Sequence, residues 1–347
     1  MTCLPTPGRL VTLPRVALLV TLALAVAVPY VLRSYYVSIL ALAFIAGLLA
    51  ASVNLLAGQM HLVSIGHAGI AASAAYAVGW ASHHGYGYAV QLGLALVVTL
   101  LVSAVYGVTS MRTSGIFFLM VTLALGMVVF GLAYRLSRVT GGENGLTGIW
   151  RPPMVAQTWQ FYYLCLAVLV LAVLALRVVE RSPFGLVLRG IRDSESRMSS
   201  LGYSVAAYKF SAMIISGVVA GAAGVLSVWH AEFVSPASAN FLRSALAVIM
   251  VIVGGVGTWL GPLIGAGLVT GAEHLLSTHV ERWPAVLGLV FIAVVLFAPN
   301  GIVGAVRDLT GRLRRSRARR GRPPAASSVG TPVATAGESV TSSAPRP

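Results

Sequence analysis

The side chains that could take part in chemistry are concentrated in residues 181–204, whose sequence is RSPFGLVLRGIRDSESRMSSLGYS. Asp, Glu, Lys and Arg together make up only 10% of the 347 residues. The charged residues of this one stretch are Arg181, Arg189, Arg192, Asp193, Glu195 and Arg197. Clustered side chains of both signs are suited to charge-assisted hydrogen bonds with a partner protein. The stretch is therefore a candidate docking element.

Catalytic motifs are missing from the rest of the sequence. Lys209, the only lysine, stands between Tyr208 and Phe210 and has neither the preceding glycine nor the following Ser or Thr of a P-loop. The histidines form no HExxH motif, and no GxSxG elbow is present. Cys3 and Cys165 are too few for a disulfide framework or a thiolate metal site. The sequence predicts a protein that is not an enzyme and that binds no cofactor or metal of its own.

Two of the ionisable residues inside apolar runs are candidates for a functional role. Glu273 is the only acidic residue that we place within a span, where carboxylates are costly and often serve proton or ion transfer. It lies near the outer end of its run, so a satisfied interfacial role is the favoured interpretation. His67 lies one turn into another run and is either a hydrogen-bonded packing residue, which we favour, or a substrate ligand.

The elements that position these side chains are strongly apolar. Hydrophobic residues make up 57% of the chain, and its mean hydropathy is +0.87. Apolar runs of about 20 residues recur, a length at which a helix crosses the hydrocarbon core with its backbone hydrogen bonds satisfied. The sequence predicts an all-α, polytopic membrane helix bundle with about ten spans. They are residues 16–32, 37–57, 62–81, 90–110, 115–134, 161–179, 209–229, 242–256, 259–277 and 284–300.

Basic residues orient these predicted spans. They accumulate near the N-terminus, in 177–209 and after residue 301, and the positive-inside rule places all three regions in the cytoplasm. Six spans before the middle region and four after it agree with that placement. Arg135, Arg138 and Arg151 depart from it, because they fall in a loop predicted to lie outside.

Three regions follow along the chain. Residues 1–15 are predicted to be a cytoplasmic N-terminal tail, 16–305 the transmembrane domain, and 306–347 a basic, disordered cytoplasmic tail. Of the net charge of +15, nine arginines against two acidic residues, Asp308 and Glu338, place a charge of +7 after residue 301, where RLRRSRARRGR (312–322) is followed by a Pro-, Ala- and Ser-rich stretch. Such a run is typical of a topology signal or a contact with anionic membrane lipid. Its position gives no support to nucleic-acid binding.

Helical spacing connects the apolar residues of 181–204. Those that share one face are Phe184, Leu188, Ile191 and Met198. Ser182 and Pro183 supply a capping residue and a first-turn proline, and Gly202 supplies an end. We expect one short amphipathic helix whose apolar face rests on the bundle. An ordinary basic loop is the alternative, although it would need neither acidic residues nor an apolar stripe.

Small residues are frequent within the spans, which allows helix backbones to approach closely. In GGVGTWLGPLIGAGLVTG (254–271), Gly257, Gly261 and Gly265 repeat every four residues, and Pro262 removes a backbone donor. This pattern indicates either tight helix packing or a broken helix beside a permeation path.

Several stretches, taken in order, resemble one family. They are GQMHLVSIGHAGIAASAAYAVG (58–79), GIFFLMVTLALGMVVF (115–130), TGGENGLTGI within 139–149, the charged stretch, MVIVGGVGTWLGPLIGA (250–266) and LFAPNGIVG. They are similar to signatures of the permease subunits of branched-chain amino acid ABC importers, the LivM and LivH relatives among the binding-protein-dependent inner-membrane components. The resemblance covers roughly residues 40–305, and the TGGENGL loop inclines it to the LivM side.

The resemblance implies an ATP-driven importer for branched-chain amino acids or a related small solute, located in the bacterial cytoplasmic membrane with both termini in the cytoplasm. The implied partners are two ABC ATPase subunits that hold ATP and Mg, a second homologous permease and an extracytoplasmic solute-binding protein. The residues that match the family's ATPase-coupling segment are Gly185, Arg189, Arg192, Asp193 and Glu195. Those that match its outer loop are Gly141, Gly142, Asn144 and Gly145.

Two positions depart from the family pattern. Met127 follows TLALG where the resemblance leads us to expect Glu, and Leu246 stands where relatives often carry an acid. Both differences remove carboxylates that could act on a polar cargo, so the cargo is left open between branched-chain amino acids and related solutes. The alternative function is an ion-coupled secondary transporter using Glu273. Translocation-path candidates are His67, Gly257, Gly261, Pro262 and Glu273.

Overall fold

Helices account for most of the structure. The computed structural model describes residues 26–30, 33–277, 285, 288–289, 292, 296 and 301–304. The main helices are α1 (Ser34–Met60), α2 (His67–His83), α3 (Tyr88–Ser110), α4 (Gly115–Arg135), α5 (Ser137–Thr140), α6 (Thr158–Arg181), α7 (Pro183–Asp193), α8 (Glu195–Ser200), α9 (Val205–Ala231), α10 (Phe241–Gly254) and α11 (Gly261–Ser277). Short 3-10 turns lie at Gly142–Asn144, Pro153–Val155 and Pro236–Ala239. Two short strands, β1 (Leu146–Thr147) and β2 (Phe233–Val234), pair antiparallel.

Eight predicted spans coincide with helices of the described part of the chain. Five of these, α1, α3, α4, α6 and α9, are long and apolar enough to cross a membrane, while α2, α10 and α11 are shorter. The protein is therefore an all-α membrane helix bundle. The predicted spans 16–32 and 284–300 lie mostly outside the described residues, so the count of ten remains a prediction. The proposed tails, 1–15 and 306–347, also lie outside them.

Two long helices form the centre of the bundle. Helices α1 and α9 are mostly buried, whereas α3, α4 and α6 expose most of their apolar surface. The Ala- and Gly-rich α2 packs against α9, and the closest approach is at Gly224, where a Cβ atom would lie 1.9 Å from the Ala71 carbonyl oxygen. Close backbone packing of this kind lets dispersion forces hold helices together in lipid.

The helices alternate between two ends of the bundle. At one end, Arg189 of α7 is hydrogen-bonded to Gln59 in the last turn of α1. At the same end, Lys209 near the start of α9 is hydrogen-bonded to the turn between α3 and α4. We call this the charged end. At the other end β1 pairs with β2, and Ser38 near the start of α1 contacts His230 near the close of α9. We call this the loop end. The alternation follows from short connections between helices of membrane-spanning length.

Two sequence-based expectations need correction. The predicted span 62–81 begins later than expected, because residues 61–66 are non-helical and α2 starts at His67. The charged stretch is two helices, since Ser194 has an extended backbone (φ −168°, ψ 108°) that ends α7 and begins α8. A serine competes with the helix ladder through its side chain, so it is favoured at such a break.

Candidate functional site

Local capping explains the shape of the charged stretch. The Ser182 hydroxyl accepts a hydrogen bond from the Gly185 amide at 3.5 Å, and Pro183 occupies the first turn of α7, where no intrahelical donor is needed. The Ser194 hydroxyl accepts from the Arg197 amide at 3.3 Å and caps α8 in the same way. Gly202 ends the stretch with a positive φ of 88°, which glycine adopts without strain. We call residues 181–204 the coupling segment, after the role proposed below.

One face of the coupling segment is packed on the bundle. Leu188 and Ile191 are almost fully buried, and the Phe184 ring stacks on Tyr208 of α9 with centroids 5.4 Å apart. Gly185 is buried at the α6–α7 corner, where a Cβ atom would lie 2.3 Å from the Glu180 carbonyl oxygen. Three residues of the expected apolar stripe, Phe184, Leu188 and Ile191, therefore hold α7 against the bundle, whereas the fourth, Met198, lies in α8 and is only partly buried. Gly185 serves packing.

Arg189 points inward, toward the bundle. Its Nη1 donates to the Gln59 side-chain oxygen at 3.1 Å and to the Glu180 carbonyl oxygen at 2.9 Å. These bonds join α7 to the last turns of α1 and α6. Arg189 thus fixes the coupling segment, and its guanidinium is not part of the outward face.

Glu195 also faces the bundle, where it pairs with Lys209. No feature of the sequence indicated this role for Lys209. The Glu195 carboxylate lies 2.7 Å from Nζ of Lys209, and that nitrogen donates to the Thr113 carbonyl oxygen at 2.9 Å. The Lys209 side chain is 3% exposed and that of Glu195 is 41% exposed. The sequence analysis used Lys209 only to exclude a P-loop, and no local pattern could have paired it with Glu195 and Thr113.

Arg192 and Asp193 lie on the outward charged surface of the segment, where Arg197 is also exposed. The Arg192 and Asp193 side chains contact each other at 3.2 Å and are 30% and 65% exposed. An exposed pair of this type contributes little to stability, and it offers both a donor and an acceptor to a partner. The five residues matched to a coupling segment thus divide into three that hold the segment and two that face outward.

His67 lies at the centre of a buried polar chain. It is 0% exposed, its Nδ1 lies 2.8 Å from the Ser64 hydroxyl, and its Nε2 lies 2.7 Å from the Ser216 hydroxyl. Because the Ser216 hydroxyl donates to the Ser52 carbonyl oxygen at 2.6 Å, it accepts from Nε2–H. Both ring nitrogens are thus engaged within the bundle, an arrangement that favours packing over substrate binding in this conformation.

The non-helical stretch before α2 is largely buried, although His61 at its start is exposed, and distant side chains hydrogen-bond to its backbone and to the first turn of α2. The Ile65 amide donates to the Thr122 hydroxyl at 3.3 Å, and the Ala68 amide donates to the Ser244 hydroxyl at 3.2 Å. Irregular backbone is tolerated inside a membrane protein only with such partners. Helices α4 and α10 therefore hold the entry to α2.

A second irregular turn, residues 255–260, joins α10 to α11. Asn54 of α1 binds it twice, by accepting from the Gly257 amide at 2.9 Å and donating to the Thr258 carbonyl oxygen at 3.1 Å. Gly257 (φ 74°) lies against Gly58, where a Cβ atom would come within 2.6 Å of the Gly257 Cα. Gly261, the first residue of α11, packs under this turn: its Cβ would lie 2.2 Å from the Thr258 hydroxyl.

The structure changes the interpretation of Pro262. This residue lies in the first turn of α11, where no intrahelical donor is lost, so it begins a helix and does not interrupt one. The discontinuity lies in the turn before it. The glycine repeat serves close packing, since a Cβ atom at Gly265 would lie 1.8 Å from the Met250 carbonyl oxygen.

At the loop end, glycines shape the stretch that matches the outer loop. Gly141, Gly142 and Gly145 have φ values of 75°, 61° and 67°. Gly142 is buried, whereas Asn144 is exposed at the tip. β1 follows directly and pairs with β2, which ties the loop to the end of α9.

Arg151 explains part of the departure from the positive-inside pattern. Its Nε donates to the Trp229 carbonyl oxygen at 2.6 Å, its second guanidinium nitrogen donates to the His230 carbonyl oxygen at 2.9 Å, and its charge lies 3.4 Å from Glu232. The guanidinium thus satisfies carbonyl groups at the end of α9. Arg151 has a structural role here, while Arg135 and Arg138 are exposed.

Replacement of Gly145 by alanine should destabilise the loop end. Gly145 has φ 67° and ψ −166°, a region open essentially only to glycine, and a Cβ atom would lie 2.2 Å from the Val234 carbonyl oxygen. We expect a loss of about 1–3 kcal/mol from backbone strain, with further loss from the clash, measured as a lower unfolding temperature in detergent. Gly148→Ala is the matched control, because Gly148 also has a positive φ (73°) but no atom near the added Cβ. Equal unfolding temperatures for the two variants would contradict the close approach of Gly145 to the Val234 carbonyl oxygen.

The remaining candidate positions are separated from the coupling segment. Glu273 is partly buried in the second half of α11. Met127 is 47% exposed on α4, and Leu246 is 9% exposed in α10. The structure thus brings together the residues matched to the coupling segment, and in a second group those of the outer loop, but it does not assemble all the path candidates in one cavity.

An apolar helix bundle with buried polar chains, irregular turns at helix ends and a charged helix pair at one end defines a multi-pass membrane protein. The chain belongs to the family of branched-chain amino acid transport system permease components, whose model matches residues 35–298. It is 28% identical over 318 residues to the high-affinity branched-chain amino acid transport system permease protein LivM of Salmonella typhimurium, covering 84% of this chain and 75% of that protein.

Two archaeal proteins are also similar to the chain. The probable LivM permease of Methanocaldococcus jannaschii is 23% identical over 210 residues, covering 58% of this chain and 60% of that protein. The probable LivH permease of the same organism is 29% identical over 136 residues, covering 37% of this chain and 42% of that protein. No solved structure matches the chain.

Proposed function

We propose that this chain is the membrane-spanning permease subunit of an ATP-driven ABC importer for branched-chain amino acids or a related small solute. The family match over residues 35–298 carries the proposal. The similar LivM and LivH proteins are described as permeases of branched-chain amino acid transport. As a translocation subunit, the chain catalyses no reaction itself, and ATP and Mg bind to partner ATPases.

The coupling segment supports ATP coupling through partners. Its apolar face and Arg189 hold α7 to the ends of α1 and α6, and Arg192 and Asp193 face outward. An ATPase subunit docked on this outward pair could displace the segment as one unit. That displacement would reach the helices to which the segment is bound and change the access of the pathway.

The proposed assembly has several further components. It contains two ABC ATPase subunits, a second homologous permease and an extracytoplasmic solute-binding protein at the loop end, in a bacterial cytoplasmic membrane with both termini in the cytoplasm. The occurrence of LivM and LivH proteins in one organism supports a pair of permeases. Exposed apolar side chains of α3 and α4, such as Leu101 and Phe117, suit contact with lipid or with that second permease.

Reconstitution tests the proposal. The chain is placed in vesicles with the ATPases, the second permease and the binding protein, and uptake of radiolabelled leucine, isoleucine and valine is measured. We expect uptake against a gradient that needs ATP on the ATPase side and stops when the ATPases are left out. Uptake that continues unchanged without the ATPases would refute the proposal.

The ion-coupled alternative makes the opposite prediction. If Glu273 carried protons or sodium ions, collapse of the ion gradient or Glu273→Gln would abolish uptake. We expect ATP-driven uptake to continue after either treatment, because ATP hydrolysis on the partner subunits supplies the driving force. Loss of uptake with intact ATP hydrolysis would favour the alternative.

A further inference from the structure

A buried ammonium group connects three elements at the charged end. Lys209, in the second turn of α9, contacts Glu195 of α8 at 2.7 Å and the Thr113 carbonyl oxygen at 2.9 Å. Thr113 lies in the turn between α3 and α4, two residues before α4 begins. One side chain therefore joins the second half of the coupling segment, α9 and the start of α4.

The two partners of Lys209 differ in how firmly they are held. The Lys209 side chain is 3% exposed, so its charge depends on the two acceptors for compensation. The Glu195 carboxylate is 41% exposed and keeps contact with water. Breaking the ion pair therefore leaves Glu195 solvated, while Lys209 remains bound to the turn before α4. Loss of the ion pair would leave the buried ammonium group with one carbonyl acceptor, so displacement of Glu195 favours movement of Lys209 with it.

Packing cannot replace this contact for α8. None of the six residues of α8 is buried, whereas α7 is held by Leu188, Ile191 and the Arg189 hydrogen bonds. Met198 of α8 packs on Gly190 of α7, within the coupling segment itself. Besides the short connection to α9, where the Tyr203 amide donates to the Met198 carbonyl oxygen, the Glu195–Lys209 pair is thus the side-chain ion pair that holds α8 to α9 and to the turn before α4.

We propose that Lys209 is a positioning residue that transmits displacement of α8 to α9 and to the start of α4, through its contacts with Glu195 and Thr113. The inference rests on the proposed function, because it assumes that ATPase subunits move the coupling segment. α4 exposes apolar side chains along its length, Ile116, Phe117 and Met120 among them, so it borders lipid or a second permease. A displacement of the first turn of α4 would change its contact with lipid or with the second permease.

Glu195→Gln is the first test variant, because Glu195 is half exposed and the amide keeps its size. In the full reconstituted transporter we expect ATP hydrolysis to persist while leucine taken up per ATP hydrolysed falls by about fivefold or more, a typical size for coupling between sites. Lys209→Met should lower the same ratio, Lys209→Arg should restore most of it, and the double variant Glu195→Gln with Lys209→Met should be no worse than the single variants.

The matched control is Glu232→Gln at the loop end. Glu232 is 47% exposed and pairs at 3.4 Å with Arg151, whose side chain is 18% exposed, so the same chemical change is made in a similar pair far from the coupling segment. We expect an unchanged ratio of uptake to ATP hydrolysed. An equal fall in Glu232→Gln would show a general effect of weakened ion pairs and overturn the proposal.

A second measurement does not depend on the cargo. In a Cys3→Ser background, Ile116→Cys on the first turn of α4 carries an environment-sensitive fluorophore, and ATP is added to the complete transporter. We expect the emission to shift in the otherwise wild-type protein and the shift to be lost in Glu195→Gln. A shift of equal size in both proteins, or an unchanged transport ratio in Glu195→Gln, overturns the proposal. Absence of ATP-driven uptake in the wild-type transporter would instead refute the proposed function.

Discussion

Replacing Gly224 with alanine is expected to prevent correct assembly of the bundle. A Cβ atom at this position would lie 1.9 Å from the Ala71 carbonyl oxygen and 2.6 Å from its carbonyl carbon. Because the obstacle is backbone, relief requires α9 to move away from α2. Overpacking of a close-packed core costs about 1–3 kcal/mol and occasionally more, and this contact lies between two central elements. We expect little monodisperse protein in size-exclusion chromatography after detergent extraction.

Gly267→Ala is the control for this experiment. Gly267 lies in the apolar helix α11, and an added Cβ there would meet no atom within 4 Å. Alanine favours helix over glycine by about 1 kcal/mol, so this variant should be at least as stable as the wild type. If Gly224→Ala and Gly267→Ala give the same chromatographic profile and melting temperature, the described packing of α2 on α9 is wrong.

The double variant Arg192→Ala with Asp193→Ala is expected to insert and fold but to lose ATPase binding. The two side chains are 30% and 65% exposed and pair mainly with each other, so their removal should barely change stability. If they dock an ATPase, each charged hydrogen bond lost costs about 1.5–3 kcal/mol. Affinity for the ATPases should then fall by about tenfold or more, as measured by co-purification and by ATP-driven uptake.

Two further variants separate docking from folding. Arg138→Ala with Glu143→Ala removes one exposed charge of each sign at the loop end and should leave ATPase binding unchanged. Arg189→Ala should lower the melting temperature, because it removes the hydrogen bonds to Gln59 and to the Glu180 carbonyl oxygen. Wild-type ATPase binding by the Arg192 and Asp193 variant would refute the outward docking surface.

Local patterns were sufficient to predict most helices. Apolar runs near membrane-spanning length indicated the helices from α1 to α11 that cross the bundle, because each such run must satisfy its own backbone in lipid. The period of Leu188 and Ile191 identified the buried face of the coupling segment. Ser182 and Pro183 marked its start correctly, since both act through the first turn alone.

Long-range contacts explain what the sequence did not reveal. The late start of α2 depends on Thr122 and Ser244. Their hydroxyl groups lie on α4 and α10, far along the chain, and accept hydrogen bonds from the Ile65 and Ala68 amides. The inward directions of Arg189 and Glu195 depend on Gln59 and Lys209. A helical pattern assigns a face to a charged residue, but a long side chain can reach back to a buried partner. The break at Ser194 was also missed, although serine is a common capping residue.

The single lysine of this sequence has a practical consequence for chemical labelling. Its ε-amine is almost fully covered and engaged by a carboxylate and a carbonyl oxygen, so amine-directed acylating reagents should modify it slowly in the native protein. A lysine introduced at an exposed position, such as Ser196, would then be a nearly unique side-chain amine. Cross-linkers attached there would report which neighbouring polypeptide touches that surface, with little background from the remainder of the chain.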